Sequence, residues 1–568
     1  MSTPGTDPAG AWSRRLWPFA ALLLVIFGFE LVDGILSSIR GGDAPVYVLL
    51  AKSIATGAGF SDLNLPGAPA HTQYPPLLPL LLSPLYLLYG FNFTVMRIAV
   101  LLFAAAAVYM TGRHFERVGG GGLAAAVAFL VGTNYFFLFF AREIMTEAPY
   151  AFFSMAALYF LSRHASEDPR TAEGSRPFVL LLPALFALAY MTRMIGVTLY
   201  AGAVAALAAS TLASPARDGL RRAAARRLVL FAVMAILPFV VWSLRGALVG
   251  GQADTYESIF FQADYYSLDK GGAGLVALAS RFAENAADYF RAVPLSMITS
   301  SELKDLLPAG ALYLLCIVLL VVLAAGLVRE LWFTRGPMEF YTLFYFGLLS
   351  VWPVYGSGDA RRYVVPMLPL LYYYLLTGAR VLLSLGEARA GGRMGFGTAA
   401  SVLAAVLLFM NVFEVRTLLW PPTAAQRVLY GALAAKRDFS GRIEDVTPAA
   451  MGADYFAGHV PCFASYLRAA EYLGGVMGPG DVVVTRKPEA VHLVSGRYSV
   501  RFPYTGDTLA MDRFMNAVGA GYVLLDACYP ESSMYMVPYV LERGNRFGIV
   551  YDDGKGTVLL KVLGRRST

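Results

Sequence analysis

Residues 40–79 read RGGDAPVYVLLAKSIATGAGFSDLNLPGAPAHTQYPPLLP. They follow an apolar run at residues 16–36, which reaches the length of about 20 apolar residues that a bilayer core requires. The stretch opens on Gly41, Gly42 and Asp43, placing a carboxylate just past a span, where water and lipid headgroups meet. The flanking glycines let backbone and substrate come close. Val46–Thr56 is expected to form an amphipathic helix, because Val46, Leu49, Leu50 and Ser53 are spaced for one face. A Gly/Asn/Pro loop then leads to His71, Gln73, Tyr74 and the Pro75–Pro76 pair, ahead of a second apolar run. A loop this long and polar between spans is usually functional or disordered.

The rest of the chain has the composition such a loop implies. Of 568 residues 57% are hydrophobic and only 15% charged, against about 25% charged in a typical soluble domain, so the chain reads as a membrane protein. The net charge of +7 falls at the ends of apolar runs, which suits orientation in a membrane and excludes nucleic acid as the partner. Three cysteines are too few for a disulfide scaffold. Arg14 and Arg15 before the first run could imitate a signal peptide. The run is longer than a signal core and no A-x-A site follows it, so a retained anchor is expected. G-G-G-G at 119–122 lacks the strand–loop–helix context of a nucleotide site.

Eleven spans are expected, near 16–36, 92–112, 121–140, 145–162, 177–192, 195–213, 228–248, 309–328, 338–356, 363–385 and 397–416. Residues 46–56 and 75–89 read better as in-plane or re-entrant helices. With Arg14 and Arg15 inside, the clusters Arg113/Arg117, Arg163/Arg170/Arg176, Arg217–Arg227, Arg329/Arg335 and Arg389/Arg393 all fall on the inner side. The loops 40–75 and 249–308 and the C-terminal part then lie outside a plasma or bacterial inner membrane, with the N-terminus cytoplasmic. The acids and arginines that break the inside rule share that outer face: Asp43, Arg142, Glu143, Glu147, Arg193, Asp359, Arg361 and Arg362, with Glu30 and Asp33 in the last turns of the first span. Ionisable groups at membrane depth are costly and are functional candidates by default. The loop 249–308 mixes aromatic with basic residues, as expected of a segment lying over lipid headgroups. An ordinary interfacial loop would read the same way.

The motif G-G-D-A-P-V-Y, the following A-x-x-x-A-x-G-x-G-F and Y-P-P-L-L-P-L-L-L resemble the polytopic GT-C glycosyltransferases that take a sugar from a polyprenyl phosphate. These are the protein O-mannosyltransferases and the lipid A aminoarabinose transferases. The resemblance spans roughly the first four hundred residues. It implies Asp43 as catalytic base. It implies a second acid at the start of the fourth span, where Glu147 stands in I-M-T-E-x-P, with Glu143 as fallback. Arg193, in Y-M-T-R-M-I-G, resembles the family's R-P-I-G-L, with Met194 in place of proline. Arg361 or Arg362, before Tyr363 in A-R-R-Y-V-V-P-M-L-P, matches R-Y-x-x-P-x-L-P. Arginine holds phosphate bidentately and stays charged, so these positions suit the donor phosphate. Arg142, Tyr74 and His71 are candidates for lining the pocket. The plain alternatives are a helix cap for Asp43, an interfacial ion pair for the Arg142–Glu147 stretch, and snorkelling anchors for the arginines. No cofactor is implied. A divalent metal has no supporting spacing, since His71 is a lone histidine.

Beyond Arg416 hydropathy falls, and Pro421–Pro422 break the helix. The expected organisation is a transmembrane catalytic domain at 1–416, a linker at 417–461 and an external α/β domain at 462–568. In the last, helices are expected at Ala464–Gly474, Thr508–Val518 and Ser533–Arg543. Strands are expected at Asp481–Thr485, Val491–Leu493, Tyr498–Phe502, Tyr522–Asp526, Phe547–Tyr551 and Thr557–Val562. Cys462 and Cys528 are either bridged or two free thiols, and Cys316 is core packing. The resemblance implies inverting transfer of a monosaccharide from a polyprenyl-phosphate donor to a protein, lipid or glycan hydroxyl. A transporter or flippase of lipid-linked sugars would predict an internal repeat and mid-membrane charges, and neither is present. A non-catalytic cell-envelope assembly protein gives no reason for acids and arginines to share one face. The W-W-D signature of an oligosaccharyltransferase is absent.

Overall fold

The computed structural model describes residues 18–25, 43–165, 180–213, 220–249, 255–298, 308–353, 357–390, 396–419, 453–554 and 556–563. Glu30 and Asp33 lie outside them. The chain divides into two compact units: residues 1–30, 98–250 and 279–416, and residues 31–97, 251–278 and 417–568.

The first unit is helical. Its helices include Glu147–Ala165, Leu182–Thr192, Gly196–Ala213, Leu220–Val249, Ala309–Phe333, Pro337–Val351, Leu368–Ala390 and Phe396–Leu419. They coincide with the apolar runs read from the sequence. The runs at 92–140 form helices that meet at Gly120, where φ of +83° reverses the chain and requires glycine, and the expected span at 121–140 ends at Gly132, before a short helix Tyr135–Ala141 capped by Asn134. Among the described residues five helices are both long and apolar enough to cross a bilayer. On Ala309–Phe333 the exposed side chains include Leu314, Ile317, Val318 and Val321, as a lipid-facing surface demands.

Helix association here rests on missing side chains. A Cβ on Gly326 would lie 1.9 Å from the Tyr374 carbonyl oxygen, and one on Gly378 would lie 1.8 Å from that of Val322. Helices Ala309–Phe333 and Leu368–Ala390 therefore cross backbone to backbone, the small-residue contact that replaces the hydrophobic effect in lipid. Gly202 meets Tyr341 in the same manner, its Cβ position 2.5 Å from the Tyr341 nitrogen. Buried amides add polar links: Asn134 donates to the Ser296 carbonyl and the Tyr372 hydroxyl, and Asn411 to the Leu130 carbonyl.

The second unit contains helices Ala44–Ala55 and Leu77–Tyr89, the segment around 255–274 and an α/β domain. Ala44–Ala55 is buried on every side from Ala44 to Ala51, so it packs within protein instead of showing the two-faced pattern expected of an in-plane helix. The sheet strands are β1 (Val482–Thr485), β2 (Tyr498–Arg501), β3 (Ala520–Leu525), β4 (Phe547–Asp552) and β5 (Val558–Val562), in the order β2-β1-β3-β5-β4. β2, β1 and β3 are parallel, and β5 runs antiparallel to both β3 and β4. Val484, Phe502, Met511, Met515, Val523 and Leu560 form the core beneath.

One expected strand is wrong. Val491–Leu493 belongs to the helix Pro488–Ser495, opened by proline at its start and closed by Gly496 at φ +67°. Three apolar residues cannot separate strand from helix, and the flanking caps decide it. Cys462 and Cys528 are bridged, tying helix Ala453–Val476 to the turn after β3. Cys316 is buried and free.

Candidate functional site

Two clusters gather the residues singled out from the sequence, one in each unit. In the second unit Asp43 occupies the N-cap position of helix Ala44–Ala55 but makes no capping bond with its side chain. Its Oδ1 instead accepts from the Tyr74 hydroxyl at 2.8 Å. The cap reading of Asp43 therefore fails on geometry: the carboxylate points to the loop, not to the helix amides. Tyr74 is itself pinned. Its amide donates to His71 Nε2 at 2.8 Å, and the two rings stack 5.6 Å apart. Because Nε2 accepts, the imidazole proton sits on Nδ1 and is donated to Asp62 Oδ1 at 2.7 Å. His71 is thus a strut for Tyr74, with both ring nitrogens engaged. Tyr47 and Tyr256 stand edge-on to the Tyr74 ring at 5.3 and 6.0 Å. Burial first, then the Asp43 charge, push the Tyr74 phenol well above its usual pKa, so it remains a donor to the carboxylate.

The α/β domain belongs to the same unit and is stitched to this loop. Asn64 donates its side-chain amide to the Ser499 carbonyl and accepts the Ser499 N–H on its backbone oxygen. Asp269 accepts from Thr505 and from the Gly506 amide, and Arg501 donates to the Tyr265 hydroxyl. Segments far apart in sequence are thereby tied to the loop that carries Tyr74. The Lys487 ammonium, just past β1, lies within electrostatic range of Asp43.

In the first unit Glu147 opens helix Glu147–Ala165 and is fully buried. Its Oε1 accepts from Arg193 Nη1 at 2.6 Å and from Arg362 Nε. Arg193 sits where helix Leu182–Thr192 ends, and its guanidinium lies 5.4 Å from the centre of the Tyr363 ring. The Tyr345 hydroxyl donates to the Tyr363 carbonyl. Arg362 lies on the short helix Ser357–Val364. A carboxylate gripped by two guanidinium groups is a poor proton acceptor and a good positioner of cations. The other candidates stand beside this trio: Arg361 over the Phe136 ring at 5.3 Å, and Arg142 over Phe139 at 4.8 Å with Glu143 3.8 Å away. Among the described residues no three His, Cys, Asp or Glu side chains converge to hold a metal.

Asp62 and Lys487 escaped sequence reading, and Tyr256 counted there only among the aromatic residues of the loop 249–308. The H-x-x-Y spacing of His71 and Tyr74 was the one local signal for the first of these contacts; nothing in the periodicity pointed to the others.

Residues 73–242, under a third of the chain, match the family described as dolichyl-phosphate-mannose-protein mannosyltransferase. No curated protein matches the chain. Among solved structures, ArnT from Cupriavidus metallidurans in the apo state superposes with a TM-score of 0.51 at 15% identity, covering 98% of this chain and 98% of that one. The oligosaccharyltransferase AglB from Archaeoglobus fulgidus, in complex with an inhibitory peptide and a dolichol-phosphate, gives 0.50 at 13% identity, covering 96% and 74%. The chain has the GT-C glycosyltransferase fold. Family match and fold together indicate a glycosyltransferase, and the apolar helices of this GT-C chain make it a membrane protein.

Proposed function

We propose that this GT-C protein transfers a monosaccharide from a polyprenyl-phosphate donor to an acceptor hydroxyl of a protein, lipid or glycan at the outer membrane face. The N-terminus is then cytoplasmic and the α/β domain external. Asp43 takes the acceptor's proton as its oxygen bonds the anomeric carbon. The bond from that carbon to the phosphate oxygen breaks, the centre inverts, and polyprenyl phosphate leaves. Arg193 and Arg362 supply charge to the departing phosphate, with Arg361 next to Arg362 in sequence. Glu147 orients the first two guanidinium groups.

The observation that carries this reading is the Asp43 carboxylate, turned away from the helix it precedes and held by a phenol that His71 and Asp62 fix in place. A general base needs a fixed position, and the bond from the Tyr74 hydroxyl supplies it. Support also comes from the family match over residues 73–242.

Asp43→Asn keeps the shape and the oxygen that Tyr74 bonds, but cannot take a proton. The expected result is a folded, membrane-inserted protein that binds donor and transfers sugar roughly 10²–10⁴-fold more slowly. Asp43→Glu should recover part of the rate. Near-normal transfer by a well-expressed Asp43→Asn protein would end the assignment.

A further inference from the structure

The α/β domain carries a feature that the transfer reaction above leaves unused. β1 lies between β2 and β3, and its chain leaves toward β2 while that from β3 leaves toward β5 and β4. The crevice at the carboxyl ends of β1 and β3 is thus a topological switch point, the place where open α/β sheets bind ligands. Arg486 and Lys487 follow β1 directly, and Tyr529 and Glu531 follow β3.

The crevice has more donors than acceptors to meet them. Arg486 is 7% exposed and Tyr504 5%. Arg486 gives Nη2 to Glu531 at 3.0 Å and lies 5.3 Å from the centres of both the Tyr504 and Tyr529 rings. Its Nε and the Tyr504 hydroxyl have no hydrogen-bond partner among the described residues. The Lys487 ammonium stands over the Tyr529 ring at 5.4 Å and makes no ion pair among the described residues. The acids present are only partly open. Glu531 answers Arg486 through Oε1 and leaves its Oε2 as the one unpartnered buried carboxylate oxygen of the crevice among the described residues, Glu489 answers Arg501, and Asp526 accepts from Ser532 and from the Cys528 and Tyr529 amides. Lys487 is therefore the cation left without a counter-charge at hydrogen-bond distance. Burial, then Arg486 and Arg501, pull its pKa down to about 8, with Asp43 and Glu489 opposing. An isolated cation beside two others is held there at a cost that an anion would relieve.

We propose that this crevice binds an anionic group, a phosphate or carboxylate, carried by the acceptor, with Lys487, Arg486 and the Tyr504 hydroxyl as its donors. The assignment to the acceptor rests on the reading of Asp43 as base. In an inverting displacement the acceptor oxygen and the leaving phosphate lie on opposite sides of the anomeric carbon, so groups around the base meet the acceptor. Lys487 is within electrostatic range of Asp43. The enzyme would then select acceptors that present a negative charge near the hydroxyl to be glycosylated.

Lysine acylation of the purified full-length protein tests this without an activity assay. A water-soluble acylating reagent near pH 7.5 should modify Lys487 readily, because its amine is partly neutral there. Inorganic phosphate at about ten times its dissociation constant should slow that modification about tenfold, while chloride at matched ionic strength should not. Lys270, whose side chain is 62% exposed, serves as the unprotected control. Saturating short-chain polyprenyl phosphate should leave the Lys487 rate unchanged. Lys487→Gln should abolish the thermal stabilisation that inorganic phosphate gives the parent. No protection by phosphate would overturn the proposal. Protection by polyprenyl phosphate would overturn the acceptor assignment and place the donor headgroup in the crevice. Repeating the experiment in Asp43→Asn separates the two readings, since phosphate protection there is independent of whether Asp43 acts as base.

Discussion

Glu147→Ala should destabilise the helical unit by several kcal/mol. Glu147 is fully buried, and its Oε1 accepts from Arg193 at 2.6 Å and from Arg362, whose side chains are 10% and 16% exposed. Removing the carboxylate leaves two like charges facing each other with little water to screen them. Breaking one buried pair typically costs about 3–5 kcal/mol, because the surviving charge stays uncompensated. The loss of an acid from a helix's first turn adds about 0.3–1 kcal/mol. Domains of 150–250 residues lose about 2–4 °C per kcal/mol, and less as size grows, so the melting temperature should fall by roughly 5–10 °C. Glu147→Gln keeps one acceptor oxygen and the shape but not the charge, and should fall about halfway. The assay is the fraction of detergent-solubilised protein that remains monodisperse after heating, read by size exclusion. The reasoning fails if Glu147→Ala melts within a degree or two of the parent. It fails differently if Glu147→Gln melts like the parent yet loses turnover, which would make Glu147 a participant in the chemistry and not the holder of two arginines.

Two further outcomes follow from packing. The Cys462–Cys528 bridge spans 66 residues of sequence, and loop-closure entropy alone gives about 4 kcal/mol for that length. The paired serine variant should therefore expose the α/β domain to limited proteolysis at lower temperature than the parent; equal resistance would refute a stabilising bridge. Gly378→Ala must push apart backbones whose Cβ-to-oxygen distance would be 1.8 Å. Overpacking of this kind costs about 1–3 kcal/mol. Gly347→Ala meets open space and should melt like the parent. Equal melting of both variants would remove the close crossing as a source of stability.

Much of the architecture was legible in the sequence because its causes are local. Apolar run length marks helices for lipid, and most of the expected runs are helical among the described residues, although the run at 121–140 breaks at residues 133–134. Strand and helix order in the α/β domain followed from short alternating runs and their turn residues, with Tyr498–Arg501 and Phe547–Asp552 within a residue of expectation. Val491–Leu493 was misread because burial in a short helix and in a strand leaves the same three apolar letters.

Partnerships lay outside that local information. Glu147 stands 46 residues before Arg193 and 215 before Arg362, and no periodicity links them. The sequence marked all three as ionisable groups near one face; the packing of three helix ends decided that the acid neutralises both arginines. From its local sequence Asp43 could cap a helix, and it was the resemblance carried by G-G-D that favoured a base. Tertiary contacts turned its side chain to Tyr74 and brought Lys487, more than 400 residues away, within reach of its field. Hydropathy and capping act over a few residues, so sequence alone marks most helices and strands, Val491–Leu493 excepted. Charge pairing acts through space over several ångströms, and only the folded chain sets those distances.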